Sequence, residues 1–292
     1  MGSHILENEA LRVRVEDAGA ELCSVWDKRR CTERIWTADP AFWNRHAPIL
    51  FPFVGKVADG KYRIGEKEYP MKTQHGFARD RDFVCTEETR DSVTHTLCAD
   101  GASRAIYPYD FRLTLRHALD AGDPALLHIE WTVENTGAEP MLFSIGGHPG
   151  FLLPEGARQQ DCSLCFPGRS ALRYFSADPA GFLLPEKVYE LETDGGYVPV
   201  GDTLGETWIF ADQDIDCVCL AGPERQPWIG MRCRGFPILA VWGKEGAPFI
   251  CLEPWFGSAD DAGFRGTLAE KRAVQTLAPG ERWQREYSVS FN

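Results

Sequence analysis

The sequence predicts an all-β protein, a large antiparallel β-sandwich, and three observations carry that prediction. Apolar side chains recur every second residue, turn signals follow at short intervals, and no long helical periodicity interrupts them. The clearest alternation is ALLHIEWTVENTG, where Leu127, Ile129, Trp131 and Val133 alternate with His128, Glu130, Thr132 and Glu134 before Asn135-Thr136-Gly137 turns the chain. Leu11, Val13 and Val15 alternate with Arg12, Arg14 and Glu16, as do Phe111, Leu113 and Leu115 with Arg112, Thr114 and Arg116. Tyr287, Val289 and Phe291 repeat the pattern at the end, so strands run through the whole chain. Turns are expected at Ala58-Asp59-Gly60, Ala99-Asp100-Gly101, Asp194-Gly195-Gly196 and Pro279-Gly280. Helix is expected only as a short turn capped by Asp39-Pro40 and another in TLAEKRAVQTL. Gly and Pro are scattered instead of gathering in a linker, and there is no internal repeat, so residues 1–292 read as one domain.

Composition excludes several partners. With 31 basic and 43 acidic residues the net charge is −12, which repels phosphate backbones and anionic lipid, so neither nucleic acid nor membrane is an expected partner. No apolar stretch reaches the length of a bilayer span and the start lacks a signal-peptide pattern, which predicts a cytoplasmic protein. Ten cysteines in that compartment read as reduced thiols. Cys162 and Cys165 form the one CxxC, Cys217 and Cys219 fit two inward positions of a strand, and no second CxxC or HxxxH accompanies them, so no metal is expected. No phosphate-cradling GxxxxGK[ST], no GxGxxG opening a helix and no serine elbow is present, so no nucleotide cofactor is expected either.

Chemistry is expected where apolar strands run into a polar residue followed by proline. MLFSIGGHP and APFICLEP share that grammar: the residue before proline is held extended, and proline cannot donate to a ladder. His148 and Glu253 should therefore sit where pairing stops and face a cleft, with Gly146 and Gly147 leaving room for a ligand. Phe249, Cys251, Glu253 and Trp255 fall on one face, which sets a carboxylate among apolar groups beside an indole and raises its proton affinity. TQHGFARDRDF adds His75 before a glycine and Arg79 four residues later. His46, His95, His117 and His128 lack such framing and read as structural. Nine tryptophans offer indole faces for stacking on a sugar ring.

GAELCSVWDK, APILFPFVGK, DGKY, QHGFARD, YPYDF, VENTG, SIGGHPGF, GFPILAVWGKEGAPFICLEPWFG and LAPGE occur in the order seen in the aldose 1-epimerase (galactose mutarotase) family, most like the bacterial subgroup with HGFAR and GGHPGF motifs. The resemblance covers about Ile5 to Phe291. It implies the galactose mutarotase-like supersandwich, an open sugar cleft and no cofactor. It implies that His75 holds the ring-oxygen region, that His148 is the general acid and Glu253 the general base, and that Arg79 contacts the sugar. Lys56 stands in FVGK where many members carry Gly-Arg. The substrate-binding aspartate should come from FADQDID, where Asp212, Asp214 and Asp216 compete and Asp214 is preferred. Trp255 is the indole expected at the sugar. The implied reaction is exchange of the α and β anomers of a free hexose, by a base and an acid on opposite sides of the anomeric centre. A hexose 6-phosphate epimerase, with Lys56, Arg79 and Arg81 as the phosphate cations, is the nearest alternative. A non-catalytic sugar sensor and a glycoside hydrolase with a second carboxylate are the others.

Overall fold

The computed structural model describes residues 2–201 and 206–292. Two large antiparallel sheets dominate them. One has nine strands, in spatial order Tyr197–Pro199, Ser163–Cys165, Cys217–Ala221, Pro227–Arg232, Arg282–Phe291, Leu126–Asn135, Phe111–Leu119, Ser92–Cys98 and Val84–Glu88. The other has eight: Leu183–Glu192, Ala171–Ala177, Trp208–Ala211, Ile238–Trp242, Phe249–Phe256, Ile145–Gly147 and Ile49–Leu50, with Gly150–Leu152 paired to Phe249–Phe256 further along. Strands Ser3–Glu7, Leu11–Glu16, Leu22–Asp27 and Thr32–Glu33 form a smaller sheet. No helix of the described residues is long and apolar enough to cross a membrane.

Period two divides the core from the cleft. In Phe249–Phe256 every residue is buried. Ile250, Leu252 and Phe256 join the main core with Leu127, Ile129, Trp131 and Val289 of the nine-stranded sheet. The alternate residues Phe249, Cys251 and Trp255 belong to smaller clusters on the opposite face, and Glu253 shares their parity. A strand covered on both faces reads as a nearly continuous apolar run, and here one carboxylate interrupts it. The core can carry that exception. Burying each large apolar side chain contributes roughly 1.5–3 kcal/mol, and an unsatisfied buried polar group costs roughly 1–3 kcal/mol, so two or three core side chains offset it.

The four segments expected as strands from alternation form Leu11–Glu16, Phe111–Leu119, Leu126–Asn135 and Arg282–Phe291. Other local expectations need correction. Ala99-Asp100-Gly101 is a helix start: Asp100 caps Gly101–Ile106, its Oδ1 accepting the Ser103 N–H at 2.6 Å while the Ser103 hydroxyl accepts the Asp100 N–H at 2.9 Å. TLAEKRAVQTL makes only the 3-10 turn Leu268–Glu270 before entering the strand Gln275–Leu277. Asp39 caps a turn without a helix, accepting the Ala41 N–H at 2.9 Å. Cys217 and Cys219 are half-buried, and Val218 and Leu220 are the inward residues of that strand. The strand is rotated by one residue from the expected pattern because its larger aliphatic side chains take the core. All ten cysteines are free thiols.

Candidate active site

His148 and Glu253 are brought together by strand register. Ile145 pairs with Phe256 and Gly146 with Trp255; beyond the interruption, Gly150 pairs with Cys251 and Phe151 with Ile250. The register is the same on both sides, so it sets His148 directly across from Glu253. Pro149 lies on one strand of the gap and Pro254 on the other, and neither can donate to the ladder. The expectation that pairing stops at both residues is half right. It stops between the two, while on the outer flanks the His148 N–H donates to the Pro48 carbonyl at 3.2 Å and Glu253 and Pro254 stay paired with Ala240 and Leu239. Cross-strand neighbours on one face are the closest side-chain pairs in a sheet, and His148 Nε2 stands 3.2 Å from Glu253 Oε2.

The pair is dry on all sides but one. Glu253 is 1% exposed and His148 8%. Burial pushes the Glu253 carboxyl well above its usual range, and the Trp255 indole N–H offsets this only in part. Burial, with the nearby Arg79 and Arg45 guanidinium groups, pulls His148 down to about 3. His148 Nδ1 and Glu253 Oε2 have no hydrogen-bond partner in the structure. Trp43 and Trp242 flank the imidazole, with ring centroids 4.8 and 5.6 Å away. His148 and Glu253 are thus immediate neighbours, not groups set apart by the width of a sugar.

His75 is placed by a turn. Its φ is +67° and that of Gly76 is +70°, two successive left-handed residues, and a Cβ on Gly76 would lie 2.3 Å from the Phe51 carbonyl oxygen. Glycine is required there. The His75 N–H donates to the Gly55 carbonyl at 2.9 Å, and the Gly55 N–H donates to His75 Nδ1 at 3.0 Å. An accepting Nδ1 leaves the ring proton on Nε2, so the Gln74 amide group 2.8 Å away must turn its oxygen, not its NH2, toward that proton. The His75 and His148 rings meet edge to face at 5.5 Å. Burial holds His75 well below the usual histidine range, and His148, Arg79 and Arg45 add to the effect.

An open cleft of about 750 Å³ lies over these groups, within the range of small-molecule sites. His75, His148, Glu253, Lys56, Arg79 and Trp255 all line it. Asp214 does not. Asp212, Asp214 and Asp216 are all exposed, and none lines the cleft. They follow the strand Trp208–Ala211 in a turn where Asp212 and Asp214 have φ of +54° and +49°, beyond Ile209, the cleft-lining residue of that strand. The aspartate in the lining is Asp178, whose Oδ1 accepts the Phe182 N–H at 3.0 Å. Arg81 is also elsewhere, 3.6 Å from Asp100. Arg45 occupies the cleft instead, 2.5 Å from Asp80. Arg79 donates to the Gln74 carbonyl at 2.7 Å. Sequence does not distinguish Trp43 and Trp242 from the other tryptophans, and gives no sign of Arg45, Gln74 or Asp178 at the site, although Asp178-Pro179-Ala180-Gly181 carries a turn signature.

The glycines of SIGGHPG do different work from that expected. A Cβ on Gly146 would lie 2.5 Å from Trp255 Cδ1, and one on Gly147 would lie 3.0 Å from the Tyr287 hydroxyl. A Cβ on Gly150 would lie 3.0 Å from Trp36 Cβ and 3.2 Å from Trp43. They leave room for rings of the protein, not for a ligand. Gly146→Ala is expected to displace Trp255 and cost about 1–3 kcal/mol, as overpacking does, and a urea midpoint checks it. His148, Cys251 and Glu253 hold donor atoms within 4.8 Å of one another, but Cys251 is fully buried behind the cleft lining.

Within this fold an imidazole and a carboxylate stand side by side under an open polar cleft. The aldose 1-epimerase family model matches residues 3–166, and the chain belongs to that family. It is 29% identical to the plasmid-borne Protein LacX of Lactococcus lactis over 298 aligned positions, covering 98% of each chain. A galactose mutarotase-like protein from Lactobacillus casei is 34% identical over the full length of both chains, with a TM-score of 0.91. A galactose mutarotase related enzyme from Lactobacillus acidophilus is 29% identical, over 100% of this chain and 97% of that one, with a TM-score of 0.92.

Proposed function

We propose that this protein is an aldose 1-epimerase that exchanges the α and β anomers of a free hexose without a cofactor, acting through His148 and Glu253. The observation that carries the reading is the 3.2 Å separation of His148 Nε2 and Glu253 Oε2 beneath the cleft. The anomeric hydroxyl oxygen and the ring oxygen are bonded to the same carbon, so an acid and a base that are neighbours can reach both at once. The pair's one proton rests on Glu253, whose affinity burial raises while that of His148 is lowered. Passed across the 3.2 Å contact to His148, it leaves Glu253 to take the proton of the anomeric hydroxyl as C1=O forms and the bond from C1 to the ring oxygen breaks. The ring oxygen receives the proton of His148. Rotation about C1–C2 presents the other carbonyl face, and the reverse transfers close the ring and restore the pair. A proton on either member leaves one group to give and one to take. His75, with the Gln74 amide against its Nε2 at the cleft, suits holding a sugar oxygen once that amide gives way, and Arg79, Lys56 and the Trp255 indole suit the remaining contacts.

NMR exchange spectroscopy of glucose and galactose anomers tests this. Exchange well above the spontaneous rate, lost in His148→Asn, is expected. Binding without acceleration would replace the enzyme reading with a sugar-binding one. Arg45, Arg79 and Lys56 in the cleft favour including glucose 6-phosphate as a second substrate, since guanidinium groups pair well with phosphate oxygens. Faster exchange of the phosphorylated sugar would reassign the substrate.

The pH profile follows from the pair. A second proton, which would leave no base, binds only as pH falls to about 3, the value to which His148 is pulled. Loss of the first is resisted by the raised Glu253. The expected kcat/KM is flat through the neutral range with an acid limb near 3. A limb near the ordinary histidine value would show that His148 titrates alone.

A further inference from the structure

A second cluster of metal-ligating side chains lies where the N-terminal sheet meets the edge of the nine-stranded sheet. His4 comes from Ser3–Glu7, Asp17 follows Leu11–Glu16, and Cys85 and His95 face each other in register on Val84–Glu88 and Ser92–Cys98. Donor atoms of His4, Cys85 and His95 all lie within 4.8 Å of one another. Asp17 Oδ1 stands 3.0 Å from His4 Nε2 and 3.3 Å from His95 Nε2. The His95 side chain is fully buried, and neither of its ring nitrogens has a hydrogen-bond partner. An imidazole sealed in the protein with both nitrogens unused is costly unless something else takes a lone pair.

We propose that this cluster is a structural zinc site, with His4 Nε2, His95 Nε2, Cys85 Sγ and Asp17 Oδ1 as its four ligands. Zinc takes N, S and O donors of this kind tetrahedrally at about 2.0–2.3 Å, which sets ligand atoms about 3.3–3.8 Å apart. The two Asp17–imidazole contacts are already near that spacing, and the Cys85 thiol, within 4.8 Å of both imidazoles, has to swing toward Asp17 to complete the set. His4 bridges two carboxylates, its Nδ1 2.9 Å from Glu88 Oε2 and its Nε2 3.0 Å from Asp17 Oδ1. An ion would displace the Nε2 proton, while Nδ1–H keeps donating to Glu88 as the outer shell such sites use. Asp17 Oδ2 accepts the Gly2 N–H, and the Phe83 N–H donates to the Asp17 carbonyl at 2.8 Å, which ties the ligand loop to the edge strands. The ion would clip the two sheets together, away from the cleft. Spacing along the chain hides such a site because its ligands come from strands of two sheets.

The test uses the full chain, loaded with zinc, dialysed, and assayed for metal by mass spectrometry. About one zinc per chain is expected in the wild type and none above background in folded Cys85→Ser or His4→Asn. Added zinc should raise the thermal unfolding midpoint of the wild type and leave that of Cys85→Ser unmoved. Alkylation mapped by peptide mass spectrometry reads the site in the wild type alone: zinc should shield Cys85, and a chelator should expose it. Retention of the ion by both variants, or a Cys85 alkylated equally with and without zinc, overturns the assignment. The alkylation of the wild type decides even where the variants fail to fold.

Discussion

Glu253→Gln is expected to lower anomer exchange by about 10²–10⁴-fold, the contribution of one positioned acid or base, while stability holds or rises. The two halves of this result come from the same fact. Glu253 is 1% exposed in a strand buried on both faces, and burial already drives its carboxyl well above the usual range. A neutral amide of the same shape removes the cost of a buried ionisable group and also the atom that takes the proton. A fold-bearing carboxylate would behave in the opposite way, because removing one partner of a buried pair usually destabilises by about 3–5 kcal/mol. The checks are NMR exchange of glucose or galactose anomers and a urea midpoint on the same preparation. A variant with wild-type exchange removes Glu253 from the mechanism. A variant with lost exchange and a much lower midpoint makes the His148 contact architectural.

Much of the fold, and half of the candidate site, was readable from the chain alone. Alternation works where a strand has one wet face, as in Leu126–Asn135 and Phe111–Leu119. It also placed Phe249, Cys251, Glu253 and Trp255 on one face, because parity is a local property of a strand. The meeting of His148 with Glu253 is not local. It depends on a register that two short strands share with a third, and no pattern within either segment encodes a sum of positions. The glycines were misread for the same reason: their neighbours are Trp36, Trp255 and Tyr287, each distant in the chain. Asp214 fell to a subtler error. The family resemblance supplies a residue type for the site, but the turn after Trp208–Ala211 carries its aspartates out to solvent, and Asp178, from the neighbouring strand's end, lines the cleft. Loop ends vary most within a fold, so a role carried over by motif is least secure there.

Gly76→Ala is the largest structural effect expected from removing no functional group. An L-residue pays about 1–2 kcal/mol to hold a left-handed backbone, and Gly76 has φ of +70°. Its Cβ would also lie 2.3 Å from the Phe51 carbonyl oxygen, which accepts the N–H groups of Phe77 and Ala78 at 3.0 and 3.1 Å. Relieving that overlap moves backbone and costs a further 1–3 kcal/mol or so, giving a total of about 2–5 kcal/mol. Gly65→Ala separates the two contributions: Gly65 has φ of +56° in the hairpin between Lys61–Ile64 and Lys67–Pro70, and a Cβ there meets nothing within 4 Å. It should cost only the backbone share. Because Gly76 adjoins His75, whose Nδ1 is held by the Gly55 N–H, the same substitution should weaken sugar binding, seen as a higher KM, whereas Gly65→Ala should leave KM unchanged. Equal urea midpoints for the two variants would show that the turn yields without cost, and the placement of His75 would then have to come from its ring contacts alone.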